Sequence, residues 1–208
     1  MSHTSILQFR TANCKNCYKC IRNCPVKAIR VTNQQAQIIE EQCILCEKCI
    51  AVCPQHAKVE HDDIPAIQRV IASGKKVIAS VHPAYLARYG WNSIGDLEKY
   101  LQKMGFWKAF DAAQGAAVMK EEYTRLLREQ QQKKLVVSSN CPVVVRLIET
   151  KYPHLTEYLA PVYSMKQMHA AYLREQYPDA SIVYISPCIS VMSELKERQS
   201  CADYVITF

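Results

Sequence analysis

Residues 63–208 alternate between short apolar runs and longer amphipathic stretches. The apolar runs predict buried strands and are KKVIASV (75–81), WKAFDAA (107–113), KKLVVSS (133–139), SIVYIS (181–186) and DYVITF (203–208). The amphipathic stretches predict helices and cover residues 64–73, 94–104, 119–132, 141–152 and 165–177. Because strands and helices alternate, the sequence predicts an α/β domain with a mostly parallel sheet covered by helices.

The elements predicted in the N-terminal part of the chain are shorter. Residues 26–29 predict a helical turn, and residues 30–39 predict a small hairpin. Polar residues and a proline interrupt the pattern at HDDIP (61–65). We therefore expect two domains, an α+β module over residues 1–62 and the α/β domain over residues 63–208.

Composition and charge narrow the class of protein. The chain has 208 residues, of which 49% are hydrophobic, and it can bury a core. No stretch is apolar enough to span a membrane and the N-terminus lacks a secretory pattern, so we expect a cytoplasmic protein without membrane contact. The net charge is +7, and the lysines and arginines are spread along the chain rather than gathered into one long run. Since no nucleic-acid module accompanies it, we expect an acidic protein partner rather than nucleic acid.

Cysteine is the strongest chemical signal, with eleven in the chain. The runs CKNCYKCIRNCP (14–25) and CILCEKCIAVCP (43–54) both have the spacing C-x2-C-x2-C-x3-C-P. In this bacterial ferredoxin run, the fourth cysteine ligates the other cluster of a pair. Structural zinc also uses C-x2-C pairs, but it requires neither four cysteines per run nor the closing proline. We therefore predict two 4Fe-4S clusters, one held by Cys14, Cys17, Cys20 and Cys53, the other by Cys43, Cys46, Cys49 and Cys24.

Three predicted strands end in small polar or sulfur-bearing residues, at positions 80–83, 139–142 and 186–188. Chemistry gathers at the carboxyl ends of parallel strands. Cys141 and Cys188 are therefore candidate ligands of a third, incomplete metal site. The alternative is that each is a buried core cysteine, which is a common role for this residue.

These motifs give the chain a resemblance to the iron-only (FeFe) hydrogenases, from about Cys14 to the C-terminus. That family carries T-S-C-C-P-x-W, M-P-C-x-x-K-x-x-E and a later motif with two more cysteines. Here the first motif is similar to SSNCPVV (138–144) and the second to SPCISVMSE (186–194). The resemblance implies that Cys141 and Cys188 ligate the 4Fe-4S part of a catalytic cluster.

The departures from the family pattern concern the catalytic residues. Asn140 stands where the family has a proton-relay thiol, and an amide has no titratable proton near neutral pH. Val191 stands where the family has a lysine that anchors a cyanide ligand of the di-iron unit, and it offers no charge or hydrogen bond. Ser186 and Val144 replace the family's methionine and tryptophan, whereas Glu194 is kept. We therefore expect no catalytic residues and no di-iron centre.

Together, these features predict an iron-sulfur electron-transfer protein, hydrogenase-like but without hydrogenase activity, that serves a redox protein partner as a sensor or regulatory subunit. One alternative is an iron-only hydrogenase that catalyses reversible hydrogen oxidation with reduced ferredoxin. Another is a plain ferredoxin whose α/β region only docks a partner. Since the sequence stops at DYVITF, before the family's third motif, we also expect a C-terminal sensory or output domain beyond this chain.

Overall fold

The computed structural model describes residues 6–91, 93–129, 135–197 and 201–207. Within them the strands are β1 (Leu7–Phe9), β2 (Ile29–Thr32), β3 (Gln35–Ile38), β4 (Lys58–Glu60), β5 (Val77–Val81), β6 (Lys108–Asp111), β7 (Ser181–Ser186) and β8 (Tyr204–Thr207). The α-helices are α1 (Lys19–Asn23), α2 (Lys48–Ala51), α3 (Ile64–Ala72), α4 (Tyr85–Tyr89), α5 (Ile94–Lys103), α6 (Gln114–Glu129), α7 (Pro142–Lys151), α8 (Met165–Gln176) and α9 (Ser190–Glu197). Among these described helices, none has the length and apolar character that crossing a membrane requires.

The N-terminal module consists of two similar halves. β1 pairs antiparallel with β4, and β2 pairs antiparallel with β3 in the predicted hairpin. Left-handed backbone conformations recur at the same places in both cysteine runs, at Asn16, Tyr18 and Lys27 and then at Leu45, Glu47 and His56. The helical turn predicted over 26–29 is wrong. Lys27 has a φ of 55°, which cannot continue a right-handed helix, and Ile29 already begins β2.

The C-terminal part is built on a four-stranded parallel sheet in the order β6-β5-β7-β8, which confirms the α/β prediction. β5 and β7 are fully buried because helices cover both faces of the sheet. Ile78 and Ile182 pack with Leu173 of α8 on one face. Ala79 and Val183 belong to the core on the other face, where α3 and α5 supply the apolar partners.

The prediction of a sheet strand over 133–139 is wrong. Residues 133 and 134 lie outside the described residues, and Val137 forms only an isolated bridge with Leu159. Its amide donates to the Tyr158 carbonyl at 2.7 Å, and its carbonyl accepts from the Ala160 amide at 2.9 Å. Because these backbone groups pair with a loop, they do not join the sheet, and Cys141 does not follow a sheet strand.

The N-terminal module shares a hydrophobic core with the α/β part. Leu7 and Leu45 are buried in one cluster with Tyr184, Met192 and Leu195. A polar contact also crosses this boundary, since Glu47 accepts a hydrogen bond from the Ile189 amide. Just after the boundary, Asp63 accepts a hydrogen bond from the Val205 amide at 3.1 Å. The cysteine runs are therefore held against the edge of the α/β part that carries Cys188.

Candidate iron-sulfur sites

Four of the predicted ligands line one cavity in the N-terminal module. Its lining includes Cys14, Cys17, Cys20 and Cys53, together with Phe9, Ala36, Ala57 and Lys58. Three of the thiols come from the first cysteine run and the fourth crosses over from the second. This is the grouping that the sequence predicts for cluster one.

The other four predicted ligands line a second cavity. They are Cys24, Cys43, Cys46 and Cys49. In the described part of the chain, no three His, Cys, Asp or Glu side chains converge closely enough to hold a single metal ion. In each cavity, three thiols come from one cysteine run and the fourth comes from the other run.

Backbone amides at each site point to thiolate chemistry. The Ala28 amide donates to Cys24 Sγ at 3.2 Å, and the Ala57 amide donates to Cys53 Sγ at 3.4 Å, one in each half of the repeat. Amide hydrogen bonds to sulfur stabilise thiolates and tune bound clusters. The residues present therefore fit a 4Fe-4S cluster at each cavity.

Burial governs how these thiols ionise. It raises the pKa of Cys43, and it raises the pKa of Cys49 to about 12. At Cys53 burial acts in the same direction, but amide hydrogen bonds and the charge of Lys58 outweigh it and lower the pKa. The buried thiols are thus protonated at neutral pH until iron binds, and cluster assembly releases their protons.

The structure treats the third pair of candidate ligands differently. Cys141 is exposed at the N-terminal end of α7, whereas Cys188 is half-buried before α9 with its Sγ 2.9 Å from Ser190 Oγ. Their segments meet at a cavity that is lined by Ser139, Pro142, Val145, Arg146, Glu149, Ser193 and Glu194. The structure brings the two motifs together, but neither thiol is among these lining residues.

A buried ion pair lies at the junction of the two motifs. Lys166 Nζ is 2.9 Å from Glu194 Oε2, at an angle too oblique for a hydrogen bond, and the side chains are only 5% and 6% exposed. Lys166 also donates to the Asn140 carbonyl at 2.7 Å. Asn140 Oδ1 in turn accepts a hydrogen bond from the Met165 amide at 3.1 Å, so its side chain caps α8. In the sequence, the only sign of Lys166 is a lysine on the apolar side of a predicted helix, which does not by itself indicate a buried ion pair.

Three residues of the two motifs and of α8 are engaged in contacts within the protein. Asn140 accepts the Met165 amide of α8, the Lys166 ammonium is paired with Glu194, and Val191 is buried in the apolar core.

A second buried polar contact joins the sheet to α8. Ser80 Oγ lies 2.7 Å from His169 Nδ1, and both residues are 0% exposed. Burial lowers the pKa of His169 to about 4, so the imidazole is neutral at pH 7. Because no substrate can reach Ser80, this pair is a structural contact and not a hydrolytic site.

Comparison with known proteins gives two family matches. The model of the iron-only hydrogenase large subunit, C-terminal domain, matches residues 75–208, and that of the 4Fe-4S dicluster domain matches residues 13–57. The dicluster match confirms the predicted 4Fe-4S chemistry of the N-terminal module. It leaves the number of clusters and the ligand of each iron as predictions.

Three curated relatives carry related names. The NADP-reducing hydrogenase subunit HndD of Solidesulfovibrio fructosivorans is 27% identical over 188 residues, which cover 81% of this chain and 32% of that protein. A component of the ion-translocating oxidoreductase complex of Methanosarcina acetivorans is 50% identical over 44 residues, covering 21% of this chain and 17% of that component. The thiosulfate reductase electron transfer subunit PhsB of Salmonella typhi is 24% identical over 120 residues, which cover 52% of this chain and 62% of that subunit.

The chain thus spans about a third of the length of HndD. The hydrogenase model covers more than half of the chain, in agreement with the motifs that begin at Ser138 and Ser186. The chain belongs to the iron-only hydrogenase large-subunit family and carries a 4Fe-4S dicluster module at its N-terminal end.

Proposed function

We propose that this chain is an electron-transfer protein with two 4Fe-4S clusters in the module of residues 1–62. The observation that carries the proposal is the grouping of eight thiols around two cavities, each with one ligand supplied by the other run. The proposed ligands are Cys14, Cys17, Cys20 and Cys53 for cluster one, and Cys43, Cys46, Cys49 and Cys24 for cluster two. When bound, the clusters supply one-electron transfer, while this chain's cysteines hold them and its amides donate to their sulfurs.

We further propose that the α/β domain, residues 63–208, lacks hydrogenase activity. Support comes from the junction of the two motifs, where Asn140 caps α8 and Lys166 pairs with Glu194. A proton relay requires a group that can accept and release a proton near the operating pH, and the Asn140 amide is not such a group.

Hydrogen oxidation is a second candidate function. The similarity to a hydrogenase subunit favours it, because the 27% identity to HndD extends over 81% of this chain. It requires a proton donor other than residue 140 and cluster ligands beyond Cys141 and Cys188.

A regulatory role is supported by contacts between cluster two and the α/β domain. Arg146 Nε donates to the Cys43 carbonyl at 3.3 Å, and its Nη1 donates to Ser193 Oγ of α9 at 2.8 Å. Glu47, next to Cys46, accepts from the Ile189 amide beside Cys188. A change of charge at cluster two would therefore alter the electrostatic potential at the segment that carries Cys188. Such a response is expected of a redox sensor.

We propose that the redox partner is acidic and binds near cluster one. No acidic residue occurs between positions 6 and 39. Six basic residues of this segment are exposed: Arg10, Lys15, Lys19, Arg22, Lys27 and Arg30. Cys17, a proposed ligand, is also exposed, which gives an electron a short path to a docked protein. We also propose a reducing, cytoplasmic location, because eight of the eleven cysteines lie in two metal-binding runs rather than in a disulfide framework.

The decisive experiment counts iron and acid-labile sulfide per chain after anaerobic reconstitution, in the parent and in a Cys141→Ala, Cys188→Ala variant. We expect about eight irons in the parent, since each cubane contributes four. About twelve irons, falling to eight in the variant, would establish a third cluster. A count near four would contradict the two-cluster assignment.

The same samples distinguish the two functions. We expect no hydrogen evolution from reduced viologen and no hydrogen-dependent viologen reduction by the parent. Turnover that is lost in the Cys141→Ala, Cys188→Ala variant would contradict our proposal and establish the hydrogenase alternative. Turnover that persists in that variant would point to a contaminating enzyme, since the variant removes both family ligands.

A further inference from the structure

Lys58 is a buried cation that has no carboxylate partner within the described part of the chain. It is the first residue of β4, is 2% exposed, and lies opposite Phe9 in the β1–β4 pair. Its Nζ donates to the Ala36 carbonyl at 3.3 Å and lies 4.0 Å from the centre of the Phe9 ring. Among the described residues, no carboxylate lies within ion-pair distance of it. A carbonyl and a ring are weak compensation for a buried ammonium, so the fold needs a further source of negative charge here.

The thiols proposed to bind both clusters surround this ammonium. Lys58 forms part of the lining of the first cavity, together with Cys20 and Cys53. Its positive charge opposes the rise that burial causes in the pKa of Cys20 and of Cys49, and contributes to the lowered pKa of Cys53. Cys49 belongs to the second ligand set and lies on α2, which packs against β4, so Lys58 is close to both sites.

The internal repeat shows that the fold itself does not require a cation at this position. Lys58 follows Ile29 by 29 residues, the same interval that separates the two cysteine runs (14 to 43). Ile29 is 7% exposed and packs with Cys24, Ala28 and Ala36. The two halves thus place an isoleucine and a lysine at equivalent positions beside their cluster cavities.

We propose that Lys58 is a buried counter-cation shared by the two clusters, which raises both reduction potentials and couples cluster assembly to folding of the module. The inference rests on the two-cluster function proposed above. A cubane with four thiolate ligands is negatively charged and gains a further negative charge on reduction, so a nearby fixed cation favours the reduced form. Being next to both ligand sets, Lys58 raises both potentials together.

The test compares full-length chains carrying Lys58→Ile, Lys58→Arg and Arg30→Val with the parent, each reconstituted anaerobically and titrated reductively under EPR. Lys58→Ile copies Ile29. Arg30→Val copies the residue 29 positions later, Val59, and removes an exposed positive charge from the same module. In Lys58→Ile we expect the reduction equilibrium of each cluster to shift about tenfold towards the oxidised form, which is about 59 mV for a one-electron couple. Lys58→Arg and Arg30→Val should stay close to the parent.

The outcomes separate this proposal from the function on which it rests. Eight irons in the parent with unchanged potentials in Lys58→Ile would overturn the role of Lys58 alone. Four irons in the parent would overturn the two-cluster assignment, and the shared cation with it. If Lys58→Ile retains no clusters, Lys58→Arg decides: retention there supports a required positive charge, and loss there as well overturns the proposal because shape would then be the requirement.

Discussion

The Lys166–Glu194 pair shows how a single residue changes the chemistry of a site. Lys166→Met leaves a carboxylate that is 6% exposed without its cation. We expect the free energy of unfolding of the reconstituted protein to fall by about 3–5 kcal/mol, because an uncompensated buried charge is strongly destabilising. Urea denaturation followed by circular dichroism measures the change.

The matched control for this prediction is the double variant Lys166→Met, Glu194→Leu, which removes both charges. It should recover most of the lost stability, since an apolar pair of similar volume often replaces a buried ion pair without cost. Equal losses in the single and double variants would contradict an ion-pair role for Lys166.

At this scale the sequence predicts which thiols lie near one another better than it predicts their surroundings. The eight cysteines of the two runs are grouped in space as their spacing indicates. The sequence does not predict the roles of Lys58 and Lys166, because both residues lie in ordinary sequence patterns. Their roles depend on distant segments that fold against them. The roles of Cys141 and Cys188 remain predictions for a similar reason, since spacing alone does not determine which thiols share a cavity.

Among the helices, the contact between α6 and α8 depends on a glycine. A Cβ added at Gly115 would lie far inside contact distance of the Met165 carbonyl and 3.0 Å from His169 Cβ. We expect Gly115→Ala to lower the free energy of unfolding by about 1–3 kcal/mol, because the two helices must move apart. Thermal and urea denaturation of the reconstituted protein both report this change.

Gly95 in α5 provides the comparison for Gly115. Its added Cβ would meet only Ser93 Oγ, at 3.7 Å. Gly95→Ala should therefore stabilise the protein slightly, by about 0.5–1 kcal/mol, through the better helix propensity of alanine. Similar effects of both substitutions would show that close packing at Gly115 is not the cause.

The elements that sequence reasoning predicts well are those with strong periodicity. The observed bounds of β5, β7, α3 and α5 match the predicted ones within a few residues. β5 and β7 are buried on both faces, and α3 and α5 are amphipathic. The predicted strand over 133–139 fails because a β-branched run cannot specify its partner, and Val137 pairs with a loop. The prediction of a helical turn over 26–29 is wrong because Lys27 has a left-handed backbone, which no glycine at that position indicates.

The whole molecule has an asymmetric charge distribution that sets its interaction with partners. Lys15 and Lys19 flank the exposed Cys17 and line the cluster-one cavity. We expect the reduction rate by an acidic ferredoxin to fall about tenfold between low and high salt, because electrostatic steering is screened. Stopped-flow absorbance at the cluster bands measures this rate.

Charge neutralisation tests where the acidic protein docks. Lys15→Gln, Lys19→Gln should lower the rate at low salt and flatten its salt dependence. Arg128→Gln, at the exposed end of α6, removes one charge in the α/β part and should leave the rate close to that of the parent. If Arg128→Gln has the larger effect, docking occurs away from cluster one.

The apolar cluster that joins Leu7 and Leu45 to Tyr184, Met192 and Leu195 has a consequence for the protein in a living cell. Part of the α/β core is completed by the segment that we propose to hold the second cluster, so we expect loss of order in this segment to expose part of that core. A polypeptide synthesised under iron starvation would leave this apolar surface uncovered and become a substrate for quality-control proteases. Iron supply would then govern how much of the protein survives, as well as how much of it is active.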